Sequence, residues 1–275
     1  MHHFFILLKD NLIQALKSKK TLLFLVLYLC TFGLIVHGIK EAQKELFIRL
    51  AEQGGVDPAL YRMGFNFAIE FLDIHGNDII QKFLTIPLYS IELFGVLLFG
   101  TPFLILLIHY DKIAQEASDG TYRYFLFRTS RAAIYWSKFF SALIEIALIT
   151  LVATILAVIY GQLTLPYFDL WEVAKASLIY WLMGLIPLLT FSSLVILCSS
   201  WVKRPFIALL LPGVAVLGAI IIMIWYPELS PFYLDYWKGL FLPGTTLMWK
   251  SIGIYLGITT AISSLGYLIF RKREL

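Results

Sequence analysis

The sequence predicts an all-α integral membrane protein with six transmembrane helices. Hydrophobic residues make up 60% of the 275 residues, charged residues make up only 15%, and the mean hydropathy is +0.81. A soluble domain of this length would need far more polar residues to cover its surface. The apolar residues form runs of about 20, the length that crosses a bilayer as a helix, whereas a membrane β-barrel would show shorter, alternating strands.

Six apolar runs have this length, and together they form a single transmembrane domain over residues 1–275. Most of the 22 lysine and arginine residues lie in segments that share one side of the membrane with both ends of the chain. Positive residues favour the cytosolic side, so both termini are expected in the cytosol, with 40–86 outside and 110–136 inside. The predicted spans are 20–39, 87–109, 137–160, 176–200, 206–226 and 248–270.

Two further segments are predicted to lie at the membrane surface. In residues 2–18, Phe5, Leu8, Leu12 and Leu16 fall on one helical face, which predicts an amphipathic helix along the cytosolic surface. Before the sixth span, the aromatic stretch PELSPFYLDYWKGLFLPGTT is broken by prolines and is too short to cross. This stretch predicts short re-entrant or interfacial helices at the outer surface.

The sequence lacks the common motifs of enzymes. It has no G-x-x-x-x-G-K-[ST] phosphate loop, no H-E-x-x-H zinc motif and no G-x-S-x-G nucleophile turn. Glu70, Asp73, His75 and Asp78 lie near one another in the outer segment, but their spacing is not that of a metal site. Basic residues are spread along the ends of the spans, which argues against nucleic-acid binding. We therefore predict no catalytic residue, metal or cofactor on this chain.

Glu145 is a candidate intramembrane polar site. It lies inside the third predicted span, where a charge at mid-bilayer costs at least about 2.5–3.5 kcal/mol. It follows Lys138 by two helical turns, about 10 Å along the axis and on nearly the same face. Glu145 can relay protons or line a polar passage, as in a secondary transporter or channel, or it can pair with a neighbouring polar group. The third alternative is an intramembrane enzyme or assembly factor. The sequence argues against it, because it contains no recognisable nucleophile or base.

The densest patch of charge is the segment 110–131, YDKIAQEASDGTYRYFLFRTSR, between two apolar runs. Residues 111–117 and 121–128 are each predicted to form a short helix, with Asp119 and Gly120 at the junction. Aromatic side chains beside arginines are typical of a protein-binding surface. The alternative is an interfacial helix that lies on anionic lipid.

This segment resembles the permeases of type 2 ABC transporters. The shared pattern is D-x-I-x-x-E-x-x-x-G-T, followed by an apolar pair, then S-R, and a lysine that opens the next span. The six spans, the basic amphipathic N-terminal segment and the dipping segment before the last span also resemble this family. The residues that carry the pattern are Asp111, Ile113, Glu116, Gly120, Thr121, Phe125, Leu126, Ser130, Arg131 and Lys138.

The resemblance implies a transport subunit, not an enzyme. The segment would be a coupling helix between spans two and three, docked on a cytosolic ABC ATPase that binds ATP and Mg²⁺. Two ATPase copies and a second, identical or different permease are then expected, in a bacterial or archaeal cytoplasmic membrane, with export the expected direction. Arg131 and Lys138 would anchor the loop at the headgroups. The implied ATPase contacts are Asp111, Glu116, Gly120, Thr121, Arg123, Phe125 and Leu126.

Overall fold

The computed structural model describes residues 2–52, 87–122, 129–164, 169–202, 204–226, 239–242 and 244–273. All regular secondary structure in these ranges is helical, as the composition predicts. The helices in order are α1 (His2–Lys17), α2 (Lys19–Glu52), α3 (Leu88–His109), α4 (Ala114–Ser118), α5 (Arg131–Thr164), α6 (Leu170–Trp201), α7 (Pro205–Trp225) and α8 (Thr246–Lys272).

Five helical stretches of the described residues are long and apolar enough to cross a membrane, and each contains or closely overlaps a predicted span. The remaining predicted span, 206–226, falls on α7, of which Pro205–Gly218 is apolar but shorter than the others. The rest of the predicted outer segment, beyond Glu52, and most of the aromatic stretch before α8 lie outside the described residues. The five stretches are Lys19–Gly38, Tyr89–Ser118, Arg131–Thr164, Leu170–Trp201 and Thr246–Lys272.

Helix α6 lies at the centre of the packing, against α3, α5, α7 and α8. Small residues let its neighbours approach closely: a Cβ added at Gly184 would lie 3.3 Å from the Phe94 ring of α3. Polar bonds add to this packing, since the hydroxyls of Thr190 and Thr259 lie 2.7 Å apart between α6 and α8. Interhelical hydrogen bonds of this kind join helices whose surroundings are otherwise apolar.

The predicted amphipathic helix over 2–18 is present as α1, and it packs along the beginning of α5. The Phe4 and Phe140 rings meet edge to face at 6.1 Å, and Asn11 Nδ2 donates to Ser137 Oγ at 3.1 Å. Another face of α1 leaves Phe5 and Leu16 exposed. Helix α1 therefore marks one end of the bundle, here called the α1 end, and it lines the site described next.

Candidate functional site: a charged junction at the α1 end

The junction is built on residues 110–122, which connect α3 to the segment before α5. After a turn, α4 forms one short helix that ends at Asp119 and Gly120. Gly120 has φ of 71°, a left-handed conformation that closes many helices and favours glycine. The next amide, Thr121 N–H, donates to Glu116 O at 3.1 Å, so the chain turns back towards α4. The predicted helix over 111–117 is thus shorter and begins later.

The first of three ion pairs joins this segment to α2. Lys20 Nζ donates to Asp111 Oδ2 at 2.6 Å and lies 3.4 Å from Ile108 O. The same ammonium lies 4.0 Å from the centroid of the Tyr110 ring, within cation–π range. The beginning of α2 is therefore fixed to the end of α3.

The second ion pair is buried and joins the segment to α5. Lys112 Nζ donates to Glu145 Oε2 at 2.6 Å, and His109 Nε2 lies 3.2 Å from the same oxygen. Glu145 is 1% exposed and His109 is fully buried. Glu145 Oε1 and His109 Nδ1 find no hydrogen-bond partner among the described residues. An ion pair at this depth holds its geometry because breaking it leaves an uncompensated buried charge.

The third ion pair links α4 to α5, since Lys138 Nζ donates to Glu116 Oε1. The buried Glu116 Oε2 and the Tyr122 hydroxyl find no hydrogen-bond partner within the described chain. Burial, and then the nearby Glu116 carboxylate, raise the pKa of Tyr122 well above its usual value. Tyr122 therefore stays protonated, and its ring packs edge to face on Phe270 of α8 at 5.5 Å.

Helix α6 holds the start of α4 through one serine. Ser199 Oγ accepts from Ile113 N–H at 3.1 Å and from Ala114 N–H at 3.0 Å. These amides belong to the first turn, where helix donors lack partners within the helix. Ile113, Ala114 and Ser199 are fully buried, so water cannot reach the two amides. The serine hydroxyl accepts their hydrogen bonds instead, which avoids the cost of burying them unpaired.

Two arginines close the junction on the side of α8. Arg131 Nη1 donates to Arg271 O at 2.7 Å and to Arg273 O at 2.6 Å. Arg273 in turn donates to Ser200 O at 3.0 Å and to Val202 O at 2.9 Å. Burial lowers the pKa of Arg273, and the Tyr122 hydroxyl opposes that shift. The ends of α6 and α8 and the beginning of α5 are thereby joined.

A polar cavity of about 300 Å³ lies between this segment, α1, α2 and α5. All three lysines of the ion pairs line it, together with Asp111 and Glu116. Each of these lysines is paired with a carboxylate, which for Lys112 is Glu145 behind the lining, so the cavity does not select for one sign of ligand. Among the described residues no group of three or more His, Cys, Asp or Glu side chains can hold a metal ion. Glu70, Asp73, His75 and Asp78 lie outside those residues.

The predicted site residues are placed on two sides of this segment. Asp111 and Glu116 face inward and are paired, whereas Gly120 and Thr121 lie half-buried beside the turn. The exposed tip consists of Gln115, Ser118 and Asp119. The other predicted contacts, Arg123, Phe125 and Leu126, lie outside the described residues.

Two predicted anchors and Glu145 find partners within the chain. Arg131 meets carbonyls of α8, Lys138 meets Glu116, and Glu145 meets Lys112 and His109. The sequence did not predict the contacts that Lys20, Lys112, His109 and Ser199 make in the junction. The only sequence signal was the alternation of charge in Asp111, Lys112 and Glu116, and it does not indicate which residues these charges pair with.

No known protein family matches this chain, and no curated protein matches it either. No related protein therefore supports the resemblance that the pattern in 110–138 suggests.

Proposed function

We propose that this chain is the transmembrane permease subunit of an ABC transporter, an exporter driven by ATP hydrolysis on a separate cytosolic ATPase. The observation that carries the proposal is the form of the charged junction, which is held by ion pairs on its inner side and exposed at its tip. A segment that passes motion from a partner to spanning helices needs a stiff base and an accessible surface. Both properties occur together in residues 111–121.

The base of the junction reaches three long helices. Lys20 connects it to α2, Glu145 to α5 and Ser199 to α6. A push on the tip would therefore displace all three helices together, since packed helices shift as rigid bodies. This is the mechanical role that the resemblance assigns to a coupling helix.

In the proposed topology α7 supplies the fifth span, 206–226, and both termini are cytosolic. The basic residues of α1 and of the end of α8 then lie on the same side as the tip, as the positive-inside rule requires. Two ATPase copies would carry ATP and Mg²⁺, and a second permease, identical or different, would complete a closed pair. The expected location is a bacterial or archaeal cytoplasmic membrane.

The exposed tip forms the described part of the docking surface. Asp119 supplies a negative charge there, while Gln115 and Ser118 hydrogen-bond to it and hold its carboxylate in place. The groove of the ATPase should therefore present arginine or lysine, because complementary charge steers association. Arg123, Phe125 and Leu126 would extend this surface.

A secondary transporter or channel that uses Glu145 is the alternative. Glu145 already pairs with Lys112 and His109, which gives the carboxylate a structural role without any transported ion. The geometry therefore favours the ATPase-driven permease.

The test is co-purification with a partner. The tagged protein is extracted from its native host in mild detergent, and partners are identified by mass spectrometry. We expect an ABC ATPase that is lost when Asp119→Arg reverses the charge of the tip. Glu172→Arg, an exposed acidic residue in the first turn of α6, is the matched control and should retain the ATPase.

Substituting Glu116 alone is a less specific test, although the resemblance implies a contact there. Glu116→Lys would place a lysine against Lys138, so lost association would also report the broken ion pair. Recovery of the protein without any ATPase, or transport that persists after ATP depletion, would refute the proposal. The second result, combined with loss of transport in Glu145→Gln protein that is shown to be folded, would favour the secondary transporter.

A further inference from the structure

A separate cleft lies between α2 and α5, towards the end of the bundle opposite α1. Its volume is about 420 Å³, within the range of small-ligand sites. Phe32 and Val36 of α2 and Leu156 of α5 line its apolar body. The cleft shares no lining residue with the charged junction.

Small residues keep this cleft open. Gly33 faces it from α2, and a Cβ added there would meet no atom within 4 Å. Ala153 and Ala157 line it from α5. The α5 wall is held from behind, because the Tyr89 hydroxyl of α3 donates to Ala157 O at 2.7 Å. The cleft is thus a slot between two helices that small residues keep open.

The far end of the cleft is polar. His37 Nδ1 and the Tyr160 hydroxyl lie 2.7 Å apart and bridge α2 to α5. Lys40 lies one turn beyond His37, and its hydrogen bond to Glu41 raises the pKa of the ammonium, which therefore stays charged. The lining of the cleft ends at His37 and Tyr160, and the Lys40–Glu41 ion pair lies beyond it. An apolar slot that ends at an imidazole and a phenol has the polarity of an amphiphile.

We propose that this cleft binds one phospholipid, with an acyl chain in the slot and the phosphate at His37 and Tyr160. Water does not fill a cavity with such apolar walls, and at membrane depth the available apolar occupant is a lipid chain. The phosphate would accept hydrogen bonds from the His37 imidazole and the Tyr160 hydroxyl, which line the polar end of the cleft. The binding site is independent of ATPase docking, so either proposal can fail alone.

The experiment uses the whole protein in nanodiscs of phosphatidylethanolamine and phosphatidylglycerol, with a trace of phosphatidylglycerol that carries a diazirine on its acyl chain. After illumination, labelled peptides are mapped by mass spectrometry. We expect labelling to concentrate on the walls around Gly33 and Ala153. Gly33→Leu should lower it about tenfold, the loss expected when roughly two buried methylene groups of the chain are displaced.

Gly253→Leu is the matched control, because Gly253 of α8 is exposed and equally open. Its labelling pattern should equal that of the unsubstituted protein. Leu156→Phe fills the slot from α5 and provides a second test should Gly33→Leu fail to fold. Unchanged labelling in a folded slot-filling variant would overturn the proposal.

A diazirine hydrocarbon without a headgroup separates a lipid site from ordinary contact with the bilayer. We expect the hydrocarbon probe to label the cleft less than the phospholipid probe does. His37→Ala should reduce the difference in labelling between the two probes. Equal labelling by both probes in the unsubstituted protein would show only bulk lipid at this surface and would refute the proposal.

Discussion

Lys112 and Glu145 form an ion pair across the charged junction, with Nζ 2.6 Å from Oε2, and this pair joins the turn after α3 to the interior of α5. The carboxylate is 1% exposed. Removing one partner of such a pair leaves the other charge buried without compensation, which is costly. This contact is therefore the best target for testing the junction.

We expect Glu145→Gln to lower the free energy of unfolding in detergent by about 3–5 kcal/mol, because it leaves the Lys112 ammonium without its carboxylate. Adding Lys112→Met should recover most of that loss, since apolar replacements of buried pairs are often neutral. Glu172→Gln is the control, as an exposed carboxylate whose removal should change stability by less than about 0.5 kcal/mol. Equal effects of the two glutamine substitutions would contradict the assigned role.

Ser199→Ala should loosen the start of α4. It leaves the amides of Ile113 and Ala114 buried and unpaired, at about 1–3 kcal/mol each. Hydrogen exchange measured by mass spectrometry should accelerate over residues 113–118. Ser193→Ala is the matched control, because the Ser193 hydroxyl donates only to carbonyls within its own helix. If both variants exchange at the same rate there, Ser199 does not hold the segment.

Gly266→Ala should destabilise the contact between α5, α6 and α8. The added methyl would clash with the Tyr135 hydroxyl and come within 3.3 Å of Leu197 Cα, which is backbone and cannot move aside. Overpacking of this kind costs about 1–3 kcal/mol in thermal or denaturant unfolding. Gly257→Ala, on the same helix but with no atom within 4 Å, should be neutral or slightly stabilising. A neutral Gly266→Ala would show that the helices are further apart than described.

Arg273→Ala should release the end of α8 from α6. It removes two charge-assisted bonds, to Ser200 O and Val202 O, each worth about 1.5–3 kcal/mol. Hydrogen exchange should rise in the last turns of both helices. The neighbouring Lys272 is exposed, and Lys272→Ala should leave exchange unchanged. Faster exchange in both variants would point to a general effect of charge at this end and not to these bonds.

The helices could be predicted because each depends on a local property of the chain. The run 87–109 is observed as α3, Leu88–His109, and 2–18 as α1, His2–Lys17. Helix ends were less predictable: the third span was expected at 137–160, but α5 covers Arg131–Thr164. Hydropathy detects the part of a helix that fits the hydrocarbon layer, whereas the helix itself continues into polar surroundings.

The partners of the charges could not be predicted in this way. On the sequence, Lys138 lies two turns before Glu145 on nearly the same face, yet Lys138 pairs with Glu116 and Glu145 pairs with Lys112. A helix fixes neighbours at three and four residues, while these pairs join separate elements. The pairing therefore follows from the position of the segment after α3 against α5.

The sequence by itself determined the all-helical class and the stretches that are apolar enough to cross a membrane, because hydrophobicity and run length are local properties of the chain. Only the tertiary structure decided which charges meet and which surface stays exposed. Lys112 and Glu145 are 33 residues apart, Ile113 and Ser199 are 86 apart, and Lys20 and Asp111 are 91 apart. Contacts over such separations depend on how the helices pack, and packing is set by all of their side chains together.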